Sequence, residues 1–159
     1  MEIVCIQADI AWEQKQENCR RVRAMLNDAR PSPRALVLLP EMFASGFSMN
    51  LDMTADDDGA VRRFLADTAR ELAIFLMGGV VTRRPDGRGE NRAIVFSPQG
   101  KEIASYSKMH PFRLGGESDH YAAGDQIVTF DWHGATVAPF ICYDLRFPEG
   151  WSTYLLTIT

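Results

Sequence analysis

Apolar residues fall in short runs along the chain, broken by two amphipathic stretches, and this alternation predicts strands and helices in turn. Ile3 to Ile10 is mostly apolar and reads as a buried strand. Glu13 to Arg30 places Cys19, Val22, Met25, Leu26 and Ala29 on one helical stripe, and Pro31 and Pro33 end it. Ala35 to Leu39 predicts a second buried strand, and residues 41–55 a loop with Gly46 at a tight bend. Asp56, Asp57 and Asp58 precede a second helix with the stripe Val61, Phe64, Leu65, Thr68 and Leu72. Ile74 to Thr82 predicts a third strand, followed by a turn at Pro85-Asp86-Gly87. Residues 91–97 and 101–106 flank Pro98-Gln99-Gly100 as a hairpin, 107–125 form a long polar loop, and 126–131 with 135–141 pair around His133-Gly134. Strand-helix-strand units come first and hairpins later, so an α/β fold with a mixed sheet and helices on one face is expected.

Length and composition narrow the class. A chain of 159 residues, 46% hydrophobic, predicts one globular domain over 1–159. The net charge of -4 argues against a nucleic-acid partner. The basic cluster Arg20, Arg21 and Arg23 follows Glu13 and Glu17 by about a turn, which reads as a solvated face. No apolar stretch approaches a membrane span, and Met-Glu-Ile-Val lacks the basic-then-apolar order of a signal peptide. Cys5, Cys19 and Cys142 have no metal-type spacing, and their odd number argues against a disulfide framework, so a cytoplasmic location is expected. The acidic triplet reads as helix caps and dipole partners rather than a metal site. Gly78-Gly79 lies in a strand with no helix after it and reads as a close-packing point rather than a phosphate loop.

Three polar residues stand at similar points. Cys142 ends an apolar run, Glu41 closes Ala-Leu-Val-Leu-Leu-Pro, and Lys108 follows Glu-Ile-Ala-Ser-Tyr-Ser. Each is at a strand exit, so all three could meet at one edge of a sheet. A thiol is a weak nucleophile until it loses its proton. Glu41 could take that proton, and Lys108 could favour the thiolate and hold an oxyanion, with the Tyr143 N–H as a second donor. Such a set suffices for acyl transfer through a thioester. Taken singly, the residues have ordinary readings: a core cysteine, a capping glutamate, a surface lysine. Pairing of Cys142 with His110, His120 or His133 is a rival without a local signature.

Leu39-Pro40-Glu41-Met42-Phe43 with Ser45-Gly46-Phe47, then Tyr106-Ser107-Lys108-Met109-His110-Pro111-Phe112, then Cys142-Tyr143-Asp144-Leu145-Arg146-Phe147-Pro148-Glu149 resemble the nitrilase superfamily of carbon-nitrogen hydrolases. Asn91-Arg92 and Tyr121-Ala122-Ala123-Gly124-Asp125 extend the match. The resemblance implies an α-β-β-α sandwich, a Glu41-Lys108-Cys142 triad and a supporting Glu117. It is nearest the omega-amidase branch, which implies hydrolysis of the terminal amide of a short dicarboxylate monoamide such as 2-oxoglutaramate. The partner is then a small amide, no metal or organic cofactor is required, and a homo-oligomer is implied for full-length members. Arg113 and Arg146 are candidates to hold the substrate carboxylate, and Phe43 and Phe112 to form apolar walls. Two alternatives stand beside this: nitrile or N-carbamoyl hydrolysis of the same superfamily, and a non-catalytic remnant. Residues 150–159 carry no charge, unlike the amphipathic helix the resemblance implies there. A truncated domain with its C-terminal part missing, unstable and of little activity, is the corresponding expectation.

Overall fold

The computed structural model describes residues 1–149 and 152, so the expected change of character over 150–159 lies outside the described residues. The first strand β1 (Ile3–Cys5) is followed by α1 (Lys15–Ala29), β2 (Leu36–Leu38), α2 (Leu51–Thr54), α3 (Ala60–Glu71) and β3 (Phe75–Arg83). Next come β4 (Gly89–Phe96), β5 (Glu102–Ser107), α4 (Glu117–His120), β6 (Phe130–Trp132) and β7 (Ala135–Val137). Short 3-10 turns cover Arg113–Gly115 and Cys142–Arg146.

Strands β1 to β5 form one mixed sheet in that order, and β6 pairs with β7. Neighbours β1, β2 and β3 are parallel, while β3–β4 and β4–β5 are antiparallel. Two reversals restore the original direction, so β5 runs the same way as β2. The residues that follow β2 and β5 therefore leave the sheet at the same edge, which is how Glu41 and Lys108 become neighbours.

The apolar stripes explain the layers. Val22 and Leu26 of α1 and Val61, Leu65 and Ala69 of α3 pack on the sheet face formed by Val37, Leu76, Val80 and Ile94. Each such fully buried side chain stabilises by roughly 1.5–3 kcal/mol relative to exposure. The opposite face, with Leu36, Phe75, Val95 and Ala104, is covered by Phe130 and Trp132. Both helices thus lie on one face of a mixed sheet, as the order of elements predicts.

Several boundaries differ from the pattern. β1 stops at Cys5 rather than Ile10 because β2 offers only three residues before Pro40; the last ladder bond is Ile6 N–H to Leu38 O at 2.9 Å. The β6–β7 pair is shorter than 126–141 for the same reason, with three paired positions. On α1, Ala29 is exposed and Cys19 and Met25 are half-buried. The polar Asn18 is buried instead, because its amide clamps the backbone of Ala11 at both N–H and C=O and bonds the Ala44 carbonyl, all at 2.7 Å. Two of the acidic triplet cap: Asp56 accepts from the N–H groups of Val61 (2.8 Å) and Arg62 (3.0 Å), and Asp58 from Ala60 (3.1 Å), whereas Asp57 pairs with Arg83 at 3.1 Å. Arg20 and Arg21 pair with Glu17, and Arg23 with Glu71, on an exposed face.

Candidate active site

Glu41 is set by a close approach of two backbones. The Leu39 N–H bonds Met77 O at 2.8 Å, and the chain then turns, with Ser45 and Gly46 N–H groups converging on Met42 O. Met42 takes a left-handed φ of 48° to make that turn. The turn lies directly on Gly79 of β3. A Cβ there would stand 2.3 Å from Met42 N and 2.8 Å from Pro40 O, so only glycine fits. The close-packing role expected for Gly78-Gly79 is thus met, and it serves the placement of Glu41.

Lys108 follows β5, and its backbone is held on both sides, by N–H to Asn91 O at 2.9 Å and by C=O from Gly124 N–H at 2.8 Å. Its Nζ donates to Glu41 Oε1 at 2.7 Å and to Glu117 Oε2 at 2.8 Å. Lys108 is 1% exposed, Glu117 not at all, and the Glu41 side chain 21%. Asn91 of β4 donates from Nδ2 to both carboxylates, at 2.7 Å to Glu41 and 2.8 Å to Glu117. Glu117 also accepts from the Phe112 N–H at 2.6 Å. The buried ions are thus paired and hydrogen-bonded, which such charges require.

Cys142 opens the 3-10 turn with a left-handed φ of 47°. A non-glycine residue in that region carries about 1–3 kcal/mol of strain, and such strain clusters at functional sites. Asp144, 1% exposed, closes the turn by accepting the Ile141 N–H at 3.0 Å. Cys142 borders a small cavity of about 100 Å³ with Glu41, Met77, Gly79, Ala93 and Phe140. On its other side lies a wider apolar groove lined by Phe112, Leu114, Tyr143, Leu145 and Arg146.

The electrostatics differ from expectation in one respect. Although Cys142 as a residue is exposed, the surrounding protein strips water from its sulfur and pushes the thiol above its ordinary range. Glu41 raises it further, both as a charge and as a hydrogen-bond acceptor. Lys108 acts in the lowering direction but is outweighed by burial first and by Glu41 next. Sequence reasoning gave Lys108 the larger say. For Lys108 itself, burial opposes the charge, yet the bonds to Glu117 and Glu41 prevail and raise it.

The structure therefore brings Glu41, Lys108, Glu117 and Cys142 together, with Tyr143 next to the sulfur. It separates others. Phe43 is fully buried in the core between α3 and the sheet, 6.2 Å from the Phe64 ring, and forms no wall beside Cys142. Arg113 opens into a different groove with Arg88, His110 and Phe147, whereas Arg146 and Phe112 share the groove of Cys142. His110 Nδ1 bonds Asp144 at 2.9 Å, and His133 bonds the Arg34 carbonyl at 3.1 Å, so neither is engaged with the thiol. Asn91 and Asp144 carry no signal in hydrophobic pattern or spacing; their roles come from cross-strand register and the turn. Among the described residues no group of His, Cys, Asp and Glu has the arrangement of a metal site, and no helix is long and apolar enough to cross a membrane.

Comparison with known proteins agrees with this architecture. The chain is 34% identical to the omega-amidase YafV of Yersinia enterocolitica over 152 residues, 96% of this chain and 57% of the relative. It is 32% identical to the 2-oxoglutaramate amidase of Bacillus subtilis, over 92% of this chain and 57% of the relative. The chain thus spans under three-fifths of the length of these curated relatives. Among solved structures it matches XC1258 of Xanthomonas campestris, a CN-hydrolase superfamily protein with an arsenic adduct in its active site. That match has a TM-score of 0.85 and 34% identity and covers 92% of this chain and 55% of that one. The carbon-nitrogen hydrolase model matches residues 3–157, nearly the whole length, and the chain belongs to that family.

Proposed function

We propose that this chain carries the reacting residues of an amidase that cleaves the terminal amide of a short dicarboxylate monoamide such as 2-oxoglutaramate. One observation carries the reading: Lys108 bonds Glu41 and Glu117 at once, beside a thiol that Glu41 contacts electrostatically. An ammonium has three donors. Two point at the carboxylates, which leaves one for a developing oxyanion. Named relatives that act as omega-amidase and 2-oxoglutaramate amidase support the substrate class.

The chemistry follows from the placement. With the thiol held protonated, Glu41 must remove its proton as sulfur attacks the amide carbon. The C–S bond forms and the carbonyl electrons move to oxygen, which takes bonds from Lys108 Nζ and the Tyr143 N–H. Protonated Glu41 returns the proton to the leaving nitrogen; ammonia departs and a thioester remains. Glu41 then deprotonates water, which attacks the thioester, and the carboxylic acid leaves as the thiol is restored. Arg146 offers the cation for the far carboxylate and Phe112 an apolar wall in the same groove. Three free thiols are consistent with a reducing, cytoplasmic setting.

The test is ammonia release from 2-oxoglutaramate by purified protein containing this chain, with a simple nitrile and an N-carbamoyl compound alongside. Expected are turnover of the monoamide and its loss in Cys142→Ala and Glu41→Gln. Monoamide turnover that survives Cys142→Ala sinks the reading, and turnover of the nitrile alone replaces it.

A further inference from the structure

We infer that Asp144 is the positioning residue that fixes the Cys142 sulfur relative to Lys108, through a buried network with Tyr106 and His110. The inference rests on the reading of Cys142 as nucleophile.

Asp144 is 1% exposed and accepts four hydrogen bonds. Oδ2 takes the Tyr106 hydroxyl at 2.7 Å and the Ile141 N–H at 3.0 Å. Oδ1 takes the His110 backbone N–H and its Nδ1, both at 2.9 Å. A carboxylate only accepts, so Nδ1 carries a proton. Tyr106 in turn accepts the Met109 N–H at 3.3 Å. His110, two residues after Lys108, and Ile141, just before Cys142, thus converge on Asp144, and Met109 joins them through Tyr106.

The clamp also reaches past the nucleophile. The His110 ring stacks on Phe147 at 3.9 Å between centroids and 6° between planes, and the Phe147 N–H bonds the Asp144 carbonyl at 3.1 Å. Both ends of the Cys142–Arg146 turn are held, so the left-handed φ of Cys142 does not relax. Burial holds the Tyr106 hydroxyl far above its usual range, and Asp144 adds to this, so it stays a donor at any working pH. None of these groups touches the proposed reacting atoms; they act through the separation of Cys142 from Lys108 and Glu41.

The test labels the full chain with 2-chloroacetamide, an amide-shaped electrophile, and reads each cysteine by mass spectrometry. Cys5 is exposed and serves as reference; Cys19 is half-buried, with its thiol pushed up by burial to about 11, and reports an intact fold. In wild type, Cys142 should label about tenfold or more faster than Cys5, because Glu41 acts as base. In Asp144→Asn and Tyr106→Phe that ratio should fall by about tenfold with Cys19 still protected, the size expected for a misplaced reacting atom. A merely structural role would lower the ratio only together with exposure of Cys19. Should Asp144→Asn expose Cys19, Tyr106→Phe and His110→Phe decide. An unchanged ratio in those variants overturns the inference while sparing the nucleophile. Wild-type Cys142 no faster than Cys5 overturns both.

Discussion

Lys108 Nζ lies 2.8 Å from Glu117 Oε2, and the two side chains are shut off from water at 1% and 0% exposure. An ion pair of this kind gives little net stability against an apolar pair, but removing one partner is costly because the other charge stays buried. Lys108→Met should therefore destabilise the protein by about 3–5 kcal/mol. Adding Glu117→Gln should restore part of the loss. Urea denaturation of the two single variants and the double checks this; strict additivity would mean the pair is uncoupled.

The same ammonium makes a pH prediction. Its folded-state value is raised, since the bonds to Glu117 and Glu41 outweigh burial. The stabilisation is fully present below the unfolded lysine value and is lost as pH rises through the raised folded value. The stability gap between wild type and Lys108→Met should stay level from neutral to mildly alkaline pH and narrow only in strong alkali. A gap that closes near neutrality contradicts the assignment.

Glu41→Gln should split acidity from turnover. Burial of the sulfur remains, but the Glu41 charge that raises the Cys142 thiol is gone, while the amide oxygen of glutamine can still accept. The pH midpoint of Cys142 alkylation by iodoacetamide should move down, while amide turnover is lost with the base. A midpoint that moves up would show that Glu41 does not sense the thiol.

Gly79→Ala should act on Glu41 without touching it. The new methyl would meet the backbone of Pro40 and Met42, which cannot swing away as a side chain can. Overpacking of this kind costs about 1–3 kcal/mol. Displacement of Glu41 should cut turnover more than stability, measured by ammonia release against thermal unfolding. Unchanged kinetics would mean that the turn tolerates the shift.

How much was legible in the sequence depends on what each residue does. The stripes Val22–Leu26 and Val61–Leu65–Thr68 mark the faces that are buried, because helical burial is periodic. The strand exits at Glu41 and Lys108 could be placed from apolar runs, and the sheet order then puts them at one edge. Phe43 misled because an aromatic beside a reactive residue reads the same whether it faces a groove or the core; only the absent side chain of Gly78, whose Cβ would lie 3.1 Å from the Phe43 ring, reveals the space it fills. Asn18, Asn91 and Asp144 were opaque because a buried polar residue is explained by distant partners, 26 residues away for the Asn18–Ala44 and Asn91–Glu117 bonds. The balance at Cys142 was equally hidden, since it depends on how far the fold strips water from the sulfur and on how near it brings Glu41.

The ion pair between Lys108 and Glu41 joins residues 67 positions apart, and it forms only when β2, β4 and β5 share one sheet. Contacts of such long range are among the last that a folding chain makes. Before then Cys142 sits on an unfolded segment, with no carboxylate to take its proton and no ammonium to receive an oxyanion. The nascent or unfolded chain therefore carries an ordinary thiol, and the proposed attack on an amide would become available only on completion of the sheet.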